Sequence, residues 1–157
     1  MVDRTNTGGN YLVDKDAWGT EVAKQFEEEN LVNIEIIPSL NGNQLSGEVN
    51  IDFINAFSTQ ANLQIWITED SIIKPQVVPG GYEEDYVQMN VLRGAINGTW
   101  GEAFPSSNYP ADGTESFSFS NFQFGEDWVA EELSLVVFVY EQESKKVIQV
   151  EKIKITE

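Results

Sequence analysis

From Ile34 to the end of the chain, apolar residues recur mainly at every second position, and this limits the fold more than any other feature. Ile34 and Ile36 alternate with polar neighbours. Leu45, Val49, Ile51 and Phe53 share one phase with Gly47 in line, and Leu63, Ile65 and Ile67 make a third set. A period of two places such side chains on one face of an extended strand. Asn41-Gly42-Asn43 between the first two sets reads as a hairpin turn. Tyr86 to Ile96 reads as one strand that turns at Asn97-Gly98. The near-continuous apolar run from Leu133 to Tyr140 reads as a central strand buried on both faces. Phe117 and Phe119 fall out of phase with Phe122 and Phe124, which demands a bulge or bend. The C-terminal run slips in the same way, with Ile148 and Val150 in one phase and Ile153 and Ile155 in the other.

Only one segment shows the helical period. Trp18, Val22 and Phe26 stand at i, i+4 and i+8, with Asp16 placed to cap them. Glu27-Glu28-Glu29-Asn30 ends the segment against the helix dipole. The alternating strands need a cover, and this helix has one apolar face to offer, so it is expected to pack on the sheet. Seven or eight short strands, one helix and no alternation of strand with helix predict an all-β fold. The expected architecture is an antiparallel β-sandwich, jelly-roll or immunoglobulin-like, with one short N-terminal amphipathic helix. Residues 1–13 read as a lead-in and 14–157 as a single domain. Residues 70–85 read mostly as loop and 101–113 as a second loop, and loop-borne function would sit in 72–93 and 101–113.

At 157 residues with 41% hydrophobic content, the chain is long and apolar enough to bury a core without disulfides. It has no Cys and no His. That removes thiolate nucleophiles, Ser-His-Asp and Cys-His pairs, and imidazole or thiolate metal sites. Nine cationic residues against 26 acidic ones give a net charge of −17, which opposes nucleic-acid phosphates and anionic membranes. From Gln25 to Ser144 the cations are Lys74 and Arg93 alone, among 20 acids. No apolar run approaches the roughly 20 residues a transmembrane helix needs. Met1-Val2-Asp3-Arg4 begins no apolar signal core, so the chain reads either as cytoplasmic or as a mature or excised piece.

Arg93, set among Val91, Leu92, Ala95 and Ile96, needs a carboxylate if it is buried. Asp70, Asp85 and Glu102 are the expected partners, and a structural ion pair is favoured over a ligand-binding guanidinium. Glu69, Asp70, Glu83, Glu84 and Asp85 are Ca2+ candidates by charge, and Glu126-Asp127 is a further acidic group. None fits the spacing of an EF-hand loop, and solvated charge is the simpler reading. Trp66, Tyr86 and Trp100 are candidates for an aromatic sugar platform, against the plainer reading that Trp66 packs. Asn97 and Gly98 read as a tight turn.

One stretch is more specific than any composition. It runs Ile67-Thr68-Glu69-Asp70-Ser71-Ile72-Ile73-Lys74-Pro75-Gln76, then, after an acidic insert, Asp85-Tyr86-Val87-Gln88-Met89-Asn90-Val91-Leu92-Arg93-Gly94-Ala95-Ile96-Asn97-Gly98-Thr99-Trp100-Gly101-Glu102. This resembles the C-terminal region of the outer membrane protein 28-related family, surface lipoproteins of Bacteroidetes-type bacteria. The strand Leu133–Tyr140, the tail Lys146–Val150 and the lead-in with Asp3-Arg4 and the Trp18 helix resemble it as well. The resemblance implies a β-sandwich that follows a lipidated N-terminus and often a thioredoxin-like domain. Where the family commonly carries His-Asn-His, this chain has Gln88-Met89-Asn90. The Leu-Arg and Asn-Gly-x-x-Gly-Glu elements are kept.

The expectation is therefore a non-catalytic interaction or structural module of an outer-membrane lipoprotein, without a cofactor. The alternatives are a carbohydrate-binding module and a carboxylate glycosidase. The expected partner is a protein or glycan at the cell surface, with no nucleic acid and no membrane insertion by this domain. The expected place is the extracellular face or periplasmic side of the outer membrane, with the anchor lying outside this chain.

Overall fold

The computed structural model describes residues 12–156. Most of the lead-in, Asp3-Arg4 included, lies outside the described residues. A 3-10 turn at Lys15–Ala17 opens into helix α1, Trp18–Phe26. Asp14 caps the 3-10 turn, its carboxylate accepting the Asp16 N–H at 3.0 Å, and α1 itself starts after Ala17 with no side-chain cap, so the expected cap from Asp16 is not made. The strands follow as β1 (Val32–Asn41), β2 (Gln44–Phe53), β3 (Ala61–Glu69), β4 (Ile72–Ile73), β5 (Gln76–Val78), β6 (Gly81–Glu83), β7 (Val87–Gln88), β8 (Val91–Ala95), β9 (Glu102–Ala103), β10 (Thr114–Gln123), β11 (Leu133–Glu141) and β12 (Val147–Lys154).

All pairings are antiparallel. One sheet runs β1-β2-β10; the other runs β12-β11-β3-β8, with β9 also on β3. Their inward faces share one core. Val32, Leu45, Val49, Ile51, Phe53 and Phe117 come from the first sheet, and Leu63, Ile65, Ile67, Leu133, Leu135, Val137 and Val139 from the second. The expected sequence phases are the phases of this core. β11 lies between β12 and β3 and is buried along nearly its whole length, as its apolar run predicts. Opposite Gly47, the ring of Phe119 occupies the space a side chain would need; a Cβ there would stand 2.8 Å from that ring.

The slip predicted in β10 is present where expected; the one predicted between Val150 and Ile153 is not, since residues 149–154 pair in unbroken register and the irregularity falls earlier in β12. The β10–β2 register shifts between Phe119 and Phe122, where Asn121 takes a left-handed φ of 56° and its N–H bonds to Ser46 Oγ. The β12 register shifts against β11 between Val139 and Tyr140, skipping Ile148.

The helix does not pack as expected. No residue of α1 is buried, and Phe26 is 86% exposed. A groove of about 590 Å3, lined by Val22, Phe26, Leu31, Val147 and Ile148 among others, separates α1 from β12. The physical reason lies in the sheets: their inward faces already cover each other, so the helix meets no open core surface.

Tyr86 to Ile96 is also not one strand. β7 and β8 are divided at Asn90, whose φ is 54°. The segment expected to be mostly loop carries two short ladders, β4 with β7 and β5 with β6.

Candidate functional site

Arg93, Asn97, Gly98, Trp100 and Glu102 gather along β3, with Asp70 at its end, whereas Glu83, Glu84, Asp85 and Tyr86 lie away from it on the ribbon between Ile72 and Gln88. β8 and β9 both pair with β3, and the chain between them leaves the sheet. Asn97 fills the interval with its side chain. Its Nδ2 donates to the Leu63 carbonyl at 2.9 Å, while its Oδ1 accepts the Ile65 N–H at 3.0 Å and Gln64 Nε2 at 3.1 Å. The carboxamide thus copies one residue of strand backbone. Gln64 Nε2 also donates to the Gly98 carbonyl. Gly101 then passes so close to β3 that a Cβ would lie 2.1 Å from the Leu63 oxygen, and its φ is 68°. Asn97 and Gly98 are therefore more than a tight turn: with Gly101 and Glu102 they weld this loop to the central strand. Trp100 is held by its carbonyl, which accepts from Asn62 Nδ2 and the Tyr140 hydroxyl, while the residue as a whole is 67% exposed.

Arg93 sits where β8 bulges, since Leu92 pairs with Thr68 and Gly94 with Ile67. Its guanidinium lies 3.3 Å from Glu69 Oε2, 2.9 Å from Asp127 Oδ2 and 5.0 Å from the Trp128 ring centroid. The Glu69 side chain is only 4% exposed, and its other oxygen accepts the Val129 N–H. The expected partners Asp70, Asp85 and Glu102 are not the ones used. Folding brings the loop before β11 across to Arg93, and nothing in the spacing between Arg93 and Asp127 announces it. The hydrogen bond from Arg93 holds the Asp127 carboxyl below the usual carboxylate range.

Asp70 belongs to a second network. Its Oδ1 accepts the Asn90 N–H at 2.7 Å, and its Oδ2 faces Lys154 at 3.3 Å and Lys152 at 3.7 Å. The Asn90 bond lowers the Asp70 pKa most; burial opposes it, and the two lysines add to the lowering. Glu83, Glu84 and Asp85 are exposed, and Tyr86 is half-buried with its carbonyl accepting the Lys74 N–H. The Ca2+ candidates are thus dispersed, and among the described residues no three carboxylates gather as a metal site.

The aromatic candidates have separate partners as well. Trp66 meets Phe138 edge-on at 4.7 Å, and Lys145 stands over Trp100 at 5.4 Å. The 101–113 segment, expected as a functional loop, sends Phe104 and Tyr109 into the core. Tyr109 stacks on Phe53 at 4.2 Å and donates to Glu115; burial raises its pKa.

A family model described as outer membrane protein Omp28 matches residues 2–157. The chain belongs to the Omp28 family. Among solved structures, a domain of the outer membrane lipoprotein Omp28 from Porphyromonas gingivalis is similar at 22% identity and a TM-score of 0.53, covering 82% of this chain and 90% of that one. HBP35 of Porphyromonas gingivalis is similar at 13% identity and a TM-score of 0.72; the match covers 97% of this chain and 50% of that one. Spo0M, a sporulation control protein from Bacillus subtilis, gives a TM-score of 0.54 at 11% identity, covering 81% of this chain and 49% of that one. At these identities the likeness is one of fold. No curated protein matches the sequence. Among the described residues of this Omp28-family chain, no helix is long and apolar enough to cross a membrane.

Proposed function

We propose that this Omp28-family chain is a non-catalytic interaction module of a surface-exposed lipoprotein, acting on the extracellular or periplasmic side of the outer membrane. The supporting observation is that the chemically capable groups serve the fold. Arg93 is spent on Glu69 and Asp127, Asp70 on Asn90, Lys152 and Lys154, and Asn97 on the β3 backbone. Groups so engaged hold a scaffold rigid, and a rigid scaffold presents surface.

A glycan array run beside a pull-down with the purified domain tests the reading against its alternatives. The expected result is retention of a protein and no glycan signal above background. A glycan that binds and is released by Trp100→Ala would replace this reading with carbohydrate binding. Turnover of aryl glycosides would replace it with a glycosidase.

A further inference from the structure

We infer that the ribbon from Ile72 to Gln88 is a docking arm whose partner is a protein carrying an apolar cleft rimmed by Lys and Arg. The inference rests on the interaction-module reading above and names the surface that reading requires.

No residue from Ser71 to Asn90 is buried. The two ladders, β4–β7 and β5–β6, are hydrogen-bonded to neither main sheet. The root of the ribbon is nevertheless tightly determined. Ser71 and Asn90, one on each strand, take left-handed φ values of 61° and 54°. Non-glycine residues take that conformation uncommonly, Asn more readily than Ser, and bonds to the body hold both here. Here Asp70 accepts the Asn90 N–H, Ser71 Oγ donates to Glu132, and Lys152 donates to Asn90 Oδ1 at 2.6 Å. The ribbon therefore leaves the body at a set angle.

Its side chains are sorted by face. Gln88 Nε2 donates to Gln76 Oε1, which puts the pairs Ile72–Gln88 and Gln76–Glu83 on one side. Alternation then places Ile73–Val87 and Val77–Tyr82 together on the other. Val77 is 78% exposed and Tyr82 62%. An isolated two-stranded hairpin is marginal in water, and an apolar face left in solvent adds nothing to hold it. The edges carry Lys74, Pro75 and Pro79 and the acids Glu83, Glu84 and Asp85, which discourage strand addition. The ribbon is thus built to meet a partner through its face.

Charge selects among the occupants. Three consecutive acids, Glu83 on the polar side and Glu84 and Asp85 directly after it, make the arm acidic, with Lys74 as its own cation. A second copy of this −17 chain has little to complement them, because Lys24, Arg93, Lys146, Lys152 and Lys154 are paired with its own acids. Anionic headgroups would repel them. A basic protein rim matches.

The test is selection of a displayed random-peptide library on the whole chain, with recovered peptides measured against two arm variants. The expected peptides combine apolar residues with Lys or Arg. Val77→Ser/Tyr82→Ser should weaken them about tenfold or more. Glu83→Lys/Glu84→Lys/Asp85→Lys should weaken them with a loss of salt dependence. Both variants should keep the parent melting temperature, since no arm residue is buried. Acidic peptides, or peptides indifferent to the arm substitutions, would overturn the arm and leave the interaction reading standing. A library that yields no binder at all would overturn both. Dimerisation in sedimentation that Val77→Ser/Tyr82→Ser abolishes would reassign the arm to a second copy. Arm-dependent flotation with phosphatidylethanolamine–phosphatidylglycerol vesicles would reassign it to lipid.

Discussion

Removing the Arg93 guanidinium would leave the nearly sealed Glu69 carboxylate with the Val129 N–H alone. Breaking a fully buried pair costs about 3–5 kcal/mol, and Arg93 retains some exposure, so Arg93→Ala is expected to cost roughly 2–3 kcal/mol. For a domain of this size that lowers Tm by about 5–10 °C. Arg93→Lys should recover only part of this, because a single ammonium cannot span Glu69 and Asp127 as the planar fork does. Thermal melts of the three proteins check it, and an alanine variant that melts like the parent refutes it. Asp70 makes a pH prediction. Its pKa is lowered in the folded state, so its contribution is complete above its unfolded value and fades as pH falls through the folded one. The stability gap between the parent and Asp70→Asn should therefore be widest near neutral pH and close as pH falls below about 4. A gap that widens on acidification would contradict the network drawn around Asp70. That Arg93 needs an acid was legible from its apolar neighbours; which acid was not, because Asp127 reaches it only when the loop before β11 folds across.

Between β8 and β9 the two positive-φ glycines differ in what surrounds them. At Gly98, φ 86°, the space a Cβ would enter is open, whereas at Gly101 the Leu63 backbone stands in the way. Gly98→Ala is expected to cost about 1–2 kcal/mol for the left-handed backbone alone. Gly101→Ala should cost clearly more, because β3 must move or the weld through Asn97 must open. Urea midpoints for the two variants decide it, and equal shifts would mean that the loop yields freely. The β10 bulge was legible, since a two-residue period cannot carry Phe119 and Phe122 on one face without an insertion. The break between β7 and β8 was not. Tyr86 to Ile96 reads as one run, and the turn at Asn90 is held by groups from elsewhere, the Asp70 carboxylate just past β3 and Lys152 of β12. The helix had a clear apolar stripe, but a stripe says that a face seeks cover and does not say that cover is within reach. Trp18→Ala and Val22→Ala are accordingly expected to shift stability by less than about 1 kcal/mol each, against about 2–5 kcal/mol for a buried Leu→Ala such as Leu135→Ala.

For the molecule as a whole, charge governs encounters. With a net charge of −17, and with Arg93, Lys152 and Lys154 drawn into internal pairs, the domain should not be retained on DNA or RNA at physiological salt. Salt-sensitive retention would refute this. The alternation of apolar residues settled the all-β class, the strand phases, the slip in β10 and the central place of Leu133–Tyr140, because side-chain burial on a strand is a local property written every second residue. The pairing of Arg93 with Glu69 and Asp127, the carboxamide of Asn97 standing in for strand backbone, the exposed helix and the angled ribbon between Ile72 and Gln88 were decided by tertiary structure. Each depends on which distant segment arrives beside it, and contact between residues tens of positions apart leaves no period in the chain.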